Sequence, residues 1–231
     1  MTSLPPTSLP LGFLQRPAQP APGQPAWLLV LMHGVGSNEQ DLFGLAAYVP
    51  PQFHVISLRA PFALGQGAFA WFQFTVSADG VRHIHAPQEQ QARALVQQTV
   101  EQAAQQLGVA PEHVVLGGFS QGGIMALSQL LTQPQTLRAA VIWHSRLLPE
   151  IAHLHAPAQA FEGKSAWVSH GSYDNVIPLT SAHAIRDKLG ALPLELSYHE
   201  YAGAHEIRPE ELRASMHWLQ DLTELEPETG Q

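Results

Sequence analysis

The chain has 231 residues, 45% of them hydrophobic and 13% charged, with 11 Lys and Arg against 19 Asp and Glu for a formal net charge of -8. That length suits one sizeable core, and an acidic balance without any basic run argues against nucleic acid or an anionic lipid surface as partner. The absence of cysteine excludes disulfides, thiolate metal sites and a cysteine nucleophile.

Residues 1–25 are rich in Pro, Gln and Ala. They read as an extended arm, disordered or draped on the surface, because proline supplies no backbone donor. This arm lacks the charged start and apolar core of a signal peptide, and no apolar run in the chain approaches the ~20 residues of a membrane span. A cytoplasmic protein is the default expectation. Residues 26–223 read as a single domain and 224–231 as an unstructured tail.

Within the domain, Trp27–Met32 is a continuous apolar run, as a strand buried on both faces requires. Phe53–Leu58 is a second strand. Residues 88–107 keep a 3.6-residue period through Ala92, Val96, Val100 and Leu107, and Gly108 ends that helix. Strands at 114–116, 139–143, 165–169 and 194–198 then alternate with helices at 122–131, 181–189 and 209–222. This alternation predicts an α/β fold with an open, mostly parallel, doubly wound sheet carrying helices on both faces.

The sharpest chemical signal is Gly118-Phe119-Ser120-Gln121-Gly122, placed between a strand and a helix. In that context a G-x-S-x-G run forms a strained turn that lifts the serine oxygen clear of the sheet, and its glycines let neighbouring backbones approach. The alternative is a serine capping a helix in a Gly-rich turn. Serine needs a base and the base an orienting acid, in the chain order Ser, Asp, His for this turn. His205 lies between the last strand and the last helix, and Asp174 lies just past the end of an earlier strand. Asp187 falls within a helical pattern, Glu200 is a weaker choice of acid, and His170 reads as the end of its strand. The backbone N–H groups of Val35, in His33-Gly34-Val35-Gly36, and of Gln121 are the natural donors to a developing oxyanion; the alternative for the first loop is an ordinary turn. All four elements follow strand ends, which face one crevice in an open sheet of this kind.

At Leu31-Met32-His33-Gly34-Val35-Gly36-Ser37-Asn38-Glu39-Gln40-Asp41-Leu42, Gly117-Gly118-Phe119-Ser120-Gln121-Gly122-Gly123, Asp174-Asn175-Val176-Ile177-Pro178 and Gly203-Ala204-His205, the chain resembles the phospholipase/carboxylesterase family of the α/β-hydrolase superfamily, the bacterial carboxylesterases related to acyl-protein thioesterases. The resemblance implies an esterase or thioesterase acting without cofactor or metal on small to medium acyl groups of a small-molecule substrate, and it allows a homodimer. An amide or lactone hydrolase, or a catalytically silent binding protein on the same scaffold, are the competing expectations. Two positions depart from the family: Gln73 stands where an acidic residue is common, and Ser145-Arg146 replaces Ser-Gly. Arg146 is therefore expected either to reach an anionic part of the substrate or to pair with Glu150 or a backbone carbonyl. Trp71, Phe72 and Val176 are the other expected pocket residues, and the aromatic-rich stretch 62–76 reads either as a lid or pocket wall or as a packed hairpin. His83 with His85, and His153 with His155, could each face one way, but without a third ligand they read as exposed loop histidines.

Overall fold

The computed structural model describes residue 6 and residues 8–224. Residues 225–231 of the expected tail lie outside the described residues. Among the described residues, eleven strands and five α-helices follow in chain order: β1 (Phe13–Arg16), β2 (Trp27–Met32), α1 (Glu39–Phe43), β3 (Phe53–Leu58), β4 (Phe62–Gly65), β5 (Ala68–Ala70), β6 (Phe74–Val76), β7 (Arg82–Ile84), α2 (Ala86–Leu107), β8 (Val114–Phe119), α3 (Gln121–Thr132), β9 (Ala139–Trp143), β10 (Ser165–Gly171), α4 (Leu179–Gly190), β11 (Glu195–Tyr201) and α5 (Pro209–Glu224).

The central sheet has the order β1-β3-β2-β8-β9-β10-β11. Its pairs are parallel from β3 to β11, and β1 joins β3 antiparallel at the edge. Alternation along each strand divides the core. Leu28, Val30 and Met32 of β2 enter the layer shared with α2, α3 and α4, whereas Trp27, Leu29 and Leu31 enter the layer shared with α1 and α5. Helix α3 is buried on every side and runs directly behind the sheet's centre. Gly108 takes φ 65° and closes α2, as its lack of Cβ permits. Among the described residues no helix is long and apolar enough to cross a membrane.

The N-terminal segment departs from the expectation of a bare arm. Residues 11–16 lie between Pro10 and Pro17 and contain no proline, so their N–H donors are intact and four of them complete the sheet edge. Two side chains pin this strand. Arg16 donates to the carbonyls of Ala46, Val49, Pro50 and Phe53 at 2.6–3.0 Å, and Gln15 Oε1 lies 3.0 Å from His54 Nε2 of β3. The folded unit therefore begins before residue 26.

Stretch 62–76 forms neither a plain loop nor a detached cover. β4 pairs with β5, and β6 pairs with β7, as two small antiparallel hairpins. The first is tied to the loop after β2 by Gly36 N–H to Phe69 O and Phe69 N–H to Ser37 O, both 2.8 Å.

Candidate active site

Six parallel strands end at one rim of the sheet, and the loops leaving them meet there. Ser120 directly follows β8 and begins α3 with φ 54° and ψ -116°, a left-handed backbone that a non-glycine residue adopts only when its surroundings enforce it. The enforcement is visible at the flanking glycines. A Cβ on Gly118 would stand 2.2 Å from the Gly122 carbonyl, and one on Gly122 would stand 1.8 Å from the Met32 oxygen. Strand β2, strand β8 and helix α3 are too close here for any side chain.

His205 Nε2 lies 2.9 Å from Ser120 Oγ, and His205 Nδ1 lies 2.6 Å from Asp174 Oδ2. The second oxygen of Asp174 accepts the N–H groups of Val176 and Ile177 at 2.9 and 2.8 Å. Burial pushes the Asp174 pKa upward, but the hydrogen bonds from His205, Ile177 and Val176 outweigh it and leave the carboxyl below its usual range. Gly171 and Gly203 let the two loops touch: a Cβ on Gly171 would fall 2.3 Å from the Ala204 oxygen. The three residues singled out in the sequence are thus brought into one hydrogen-bonded chain.

Val35 and Gln121 line a cleft together with Ser120. The Gln121 N–H opens α3, where a helix has no internal acceptor for it. The Val35 loop is braced by a residue that sequence reasoning treated only as part of a motif. His33 Nε2 accepts the Ala60 N–H at 3.1 Å, so its Nδ1 carries the hydrogen and donates to Gly34 O at 2.7 Å. Burial lowers the pKa of this ring, and the neutral ring holds the loop. The Gln121 side chain does further structural work by accepting Trp71 N–H at 2.8 Å and donating to Phe72 O at 2.6 Å.

Of the expected pocket residues, Phe72, Arg146 and Val176 line the cleft. Trp71 does not: its buried indole donates to His33 O at 2.8 Å, so it supports the Val35 loop from beneath. Gln73 also lies outside the cleft, its N–H held by Gln88 Oε1. From the β6–β7 hairpin, Phe74, within the stretch expected as pocket wall or hairpin, and Arg82, which was not foreseen, complete the wall. Arg146 donates to Leu147 O at 3.1 Å. Glu200 bonds Tyr198 and His183, and Asp187 pairs with Arg186 on an exposed helix face, which removes both as competing acids.

His144 was also missed. It follows β9 at the same rim with φ 49° and is fully buried between two carboxylates, 3.3 Å from Asp174 Oδ2 and 3.2 Å from Glu211. Glu211, at the start of α5, accepts Ser169 Oγ at 2.6 Å and the Arg208 N–H at 3.1 Å. The signal was available in kind, since His144 obeys the strand-end rule that selected Asp174 and His205. Its φ and its partners were not readable among 13 histidines.

His144, His170 and Asp174 are compact enough to suggest a metal centre. However, His170 Nε2 lies 2.8 Å from the Ile177 carbonyl, a contact only a protonated nitrogen makes, so that nitrogen has no lone pair for an ion. His83, His85 and His153 are exposed, as expected, but His155 is half-buried, with its Nε2 buried and without a hydrogen-bond partner among the described residues.

A strand-ordered parallel sheet with a strained serine on its central elbow, followed in the chain by aspartate and histidine, defines the α/β-hydrolase fold. Residues 17–223 match the family model for phospholipases and carboxylesterases, and the chain belongs to that family. Among curated relatives, acyl-protein thioesterase 1 of Gibberella zeae is 32% identical over 121 residues, covering 51% of this chain and 49% of that protein. The putative hydrolase MhqD of Bacillus subtilis is 24% identical over 200 residues, covering 84% and 92%. The match thus spans about half of the fungal relative and nearly all of the bacterial one. Among solved structures, the Bacillus cereus carboxylesterase superposes with a TM-score of 0.76 at 21% identity, covering 92% of this chain and 94% of that one. At that identity the likeness speaks for the fold.

Proposed function

We propose that this protein is a serine hydrolase that cleaves carboxylic esters or thioesters of small to medium acyl groups through an acyl-enzyme on Ser120. The observation that carries the reading is the unbroken chain from Asp174 Oδ2 through His205 to Ser120 Oγ, at 2.6 and 2.9 Å. Ser120 Oγ attacks the substrate carbonyl as His205 Nε2 takes its proton, and Asp174 stabilises the resulting imidazolium and fixes its orientation. The oxygen of the tetrahedral intermediate turns to the Val35 and Gln121 N–H groups. His205 then returns the proton to the leaving alcohol or thiol, and water repeats the sequence on the acyl-enzyme. The cleft offers only about 50 Å³ of space, well below the volume of drug-sized ligand sites, and so favours short acyl chains.

The test is labelling with a fluorophosphonate probe, peptide mapping of the adduct, and an ester chain-length series on the same sample. An adduct on Ser120 with turnover that falls for long chains is expected. A folded sample that takes no label and turns over no ester overturns the reading and leaves a binding protein on a hydrolase scaffold.

A further inference from the structure

Most arginines of this chain are matched by a carboxylate or buried in a carbonyl cage. Arg59 pairs with Glu39, Arg93 with Glu89, Arg186 with Asp187 and Arg208 with Glu210, while Arg16 has its four carbonyls. Arg82 and Arg146 differ. Both line the cleft beside Ser120, and no carboxylate lines it with them. Each guanidinium has five N–H donors. Arg82 donates to Val176 O at 2.7 Å and Arg146 to Leu147 O at 3.1 Å, and the buried Nε of Arg146 has no hydrogen-bond partner among the described residues.

Two like charges at the rim of one small cleft are unfavourable unless an anion joins them. Burial is the main influence lowering the Arg146 pKa; Glu150 opposes it and the Arg82 charge adds to it. Glu150 itself is exposed and lies off the cleft. The remaining walls, Phe72, Phe74, Ile124 and Ile177, are apolar, a low-dielectric frame in which a carboxylate–guanidinium contact gains strength.

The position of His205 decides which part of the substrate enters. The leaving group departs with the proton on His205 Nε2 and so lies on that side of Ser120. His205 also lines a second depression with Asp41 and Glu206, whose carboxylates disfavour an anionic group beside it. The arginine cleft does not include His205 and receives the acyl part.

We propose, resting on the hydrolase reading above, that Arg82 and Arg146 bind a free carboxylate at the far end of the acyl chain. The substrate class is then a monoester or monothioester of a short dicarboxylic acid. The reaction is ordinary acyl transfer to water: the ester bond breaks, the alcohol or thiol leaves protonated, and the diacid is released.

The experiment compares kcat/KM for the para-nitrophenyl monoester of glutaric acid with that for para-nitrophenyl pentanoate, a neutral ester of equal chain length. Glutarate binding is measured in parallel by calorimetry. The variants are Arg146→Met, Arg82→Met and the charge-retaining Arg146→Lys. The wild-type chain should favour the anionic ester by about 10-fold or more, and each Met variant should cut both that preference and glutarate affinity by about 10- to 100-fold, the scale of a charged hydrogen bond. Arg146→Lys should recover part of each. A wild-type preference near unity, or one that both Met variants leave intact, overturns the proposal. Turnover of the pentanoate without glutarate binding removes the anion site and keeps the hydrolase. Glutarate binding that is lost in the Met variants, with neither ester cleaved, does the reverse. Loss of both overturns both.

Discussion

The two sides of Ser120 carry opposite charges, and they treat those charges differently. On the His205 side, Asp174 and Glu211 are buried, and their oxygens are taken up by His205, His144, Ser169 and backbone amides. On the cleft side, Arg82 and Arg146 are half-buried and keep donors unspent. A wall whose hydrogen bonds are all made inside the protein can hold a geometry but cannot recruit a ligand. A wall with unspent donors is suited to binding and adds little rigidity. The same row of strand ends provides both, because the loop leaving β9 contributes His144 to one wall and Arg146, two residues later, to the other.

The strongest way to separate the walls is Ser120→Ala. Turnover should fall by about 10⁵- to 10⁶-fold, the scale for losing the nucleophile of such a unit, while glutarate affinity stays within a factor of a few. Loss of both together, in a folded sample, would mean that the walls are one site and the comparison is wrong. Next in size is Asp174→Asn. It retains an oxygen for the Val176 and Ile177 amides but presents the wrong partner to His205 Nδ1, and a drop in kcat of about 10⁴-fold is expected. A steady-state rate near wild type would assign the orienting role elsewhere, with Glu211 through His144 as the next group to examine.

His144→Ala tests whether the relay wall is rigid for the reason given. It removes the ring between two buried carboxylates, which keep their other donors, and should cost about 1–3 kcal/mol of folding stability. Chemical denaturation provides the measurement. A loss below about 1 kcal/mol would show that Asp174 and Glu211 are satisfied without the histidine.

How much of this was legible in the sequence follows from the range of each interaction. Ser120 was legible because its glycines and flanking elements are local, and Asp174 and His205 because each lies just past a strand that its own composition announces. The fold was legible for the same reason, as runs such as Trp27–Met32 need no distant partner to declare themselves. His144 was not, because its role depends on Glu211, brought in by α5 from far along the chain. Arg82 was not, because residues 77–85 have no periodicity and its meeting with Val176 and Arg146 is purely tertiary. Strand β1 was hidden by averaging: a proline-rich segment reads as arm even when four residues within it lack proline. The expectation for Trp71 erred through size, since a large aromatic residue near a site can serve as its floor as readily as its wall.

The smallest effect concerns a buried histidine far from either wall. His54 on β3 bonds Gln15 of β1, and its nearest charge is the Arg16 guanidinium rather than a carboxylate. Burial, with a smaller contribution from Arg16, lowers its pKa from 6.5 to about 4. The folded chain therefore holds the ring neutral over a range in which the unfolded chain binds a proton. Stability should fall as pH drops below about 6.5 and level off near 4, because the unfolded state takes up more protons throughout that window. With partial solvation of the edge strand, the loss should be on the order of 1–2 kcal/mol. His54→Gln keeps a donor for Gln15 without a titrating group, so the difference in Tm between wild type and variant should change with pH over that interval and be constant above it. Parallel Tm profiles would show that His54 titrates alike in the folded and unfolded chain and that its burial does not set the acid sensitivity of the edge. A pH-dependent gap would show that burying a histidine beside a cation, with no carboxylate to offset it, makes the sheet edge acid-sensitive at a higher pH than the Ser120 wall, where the depressed Asp174 carboxyl loses its contribution only on further acidification.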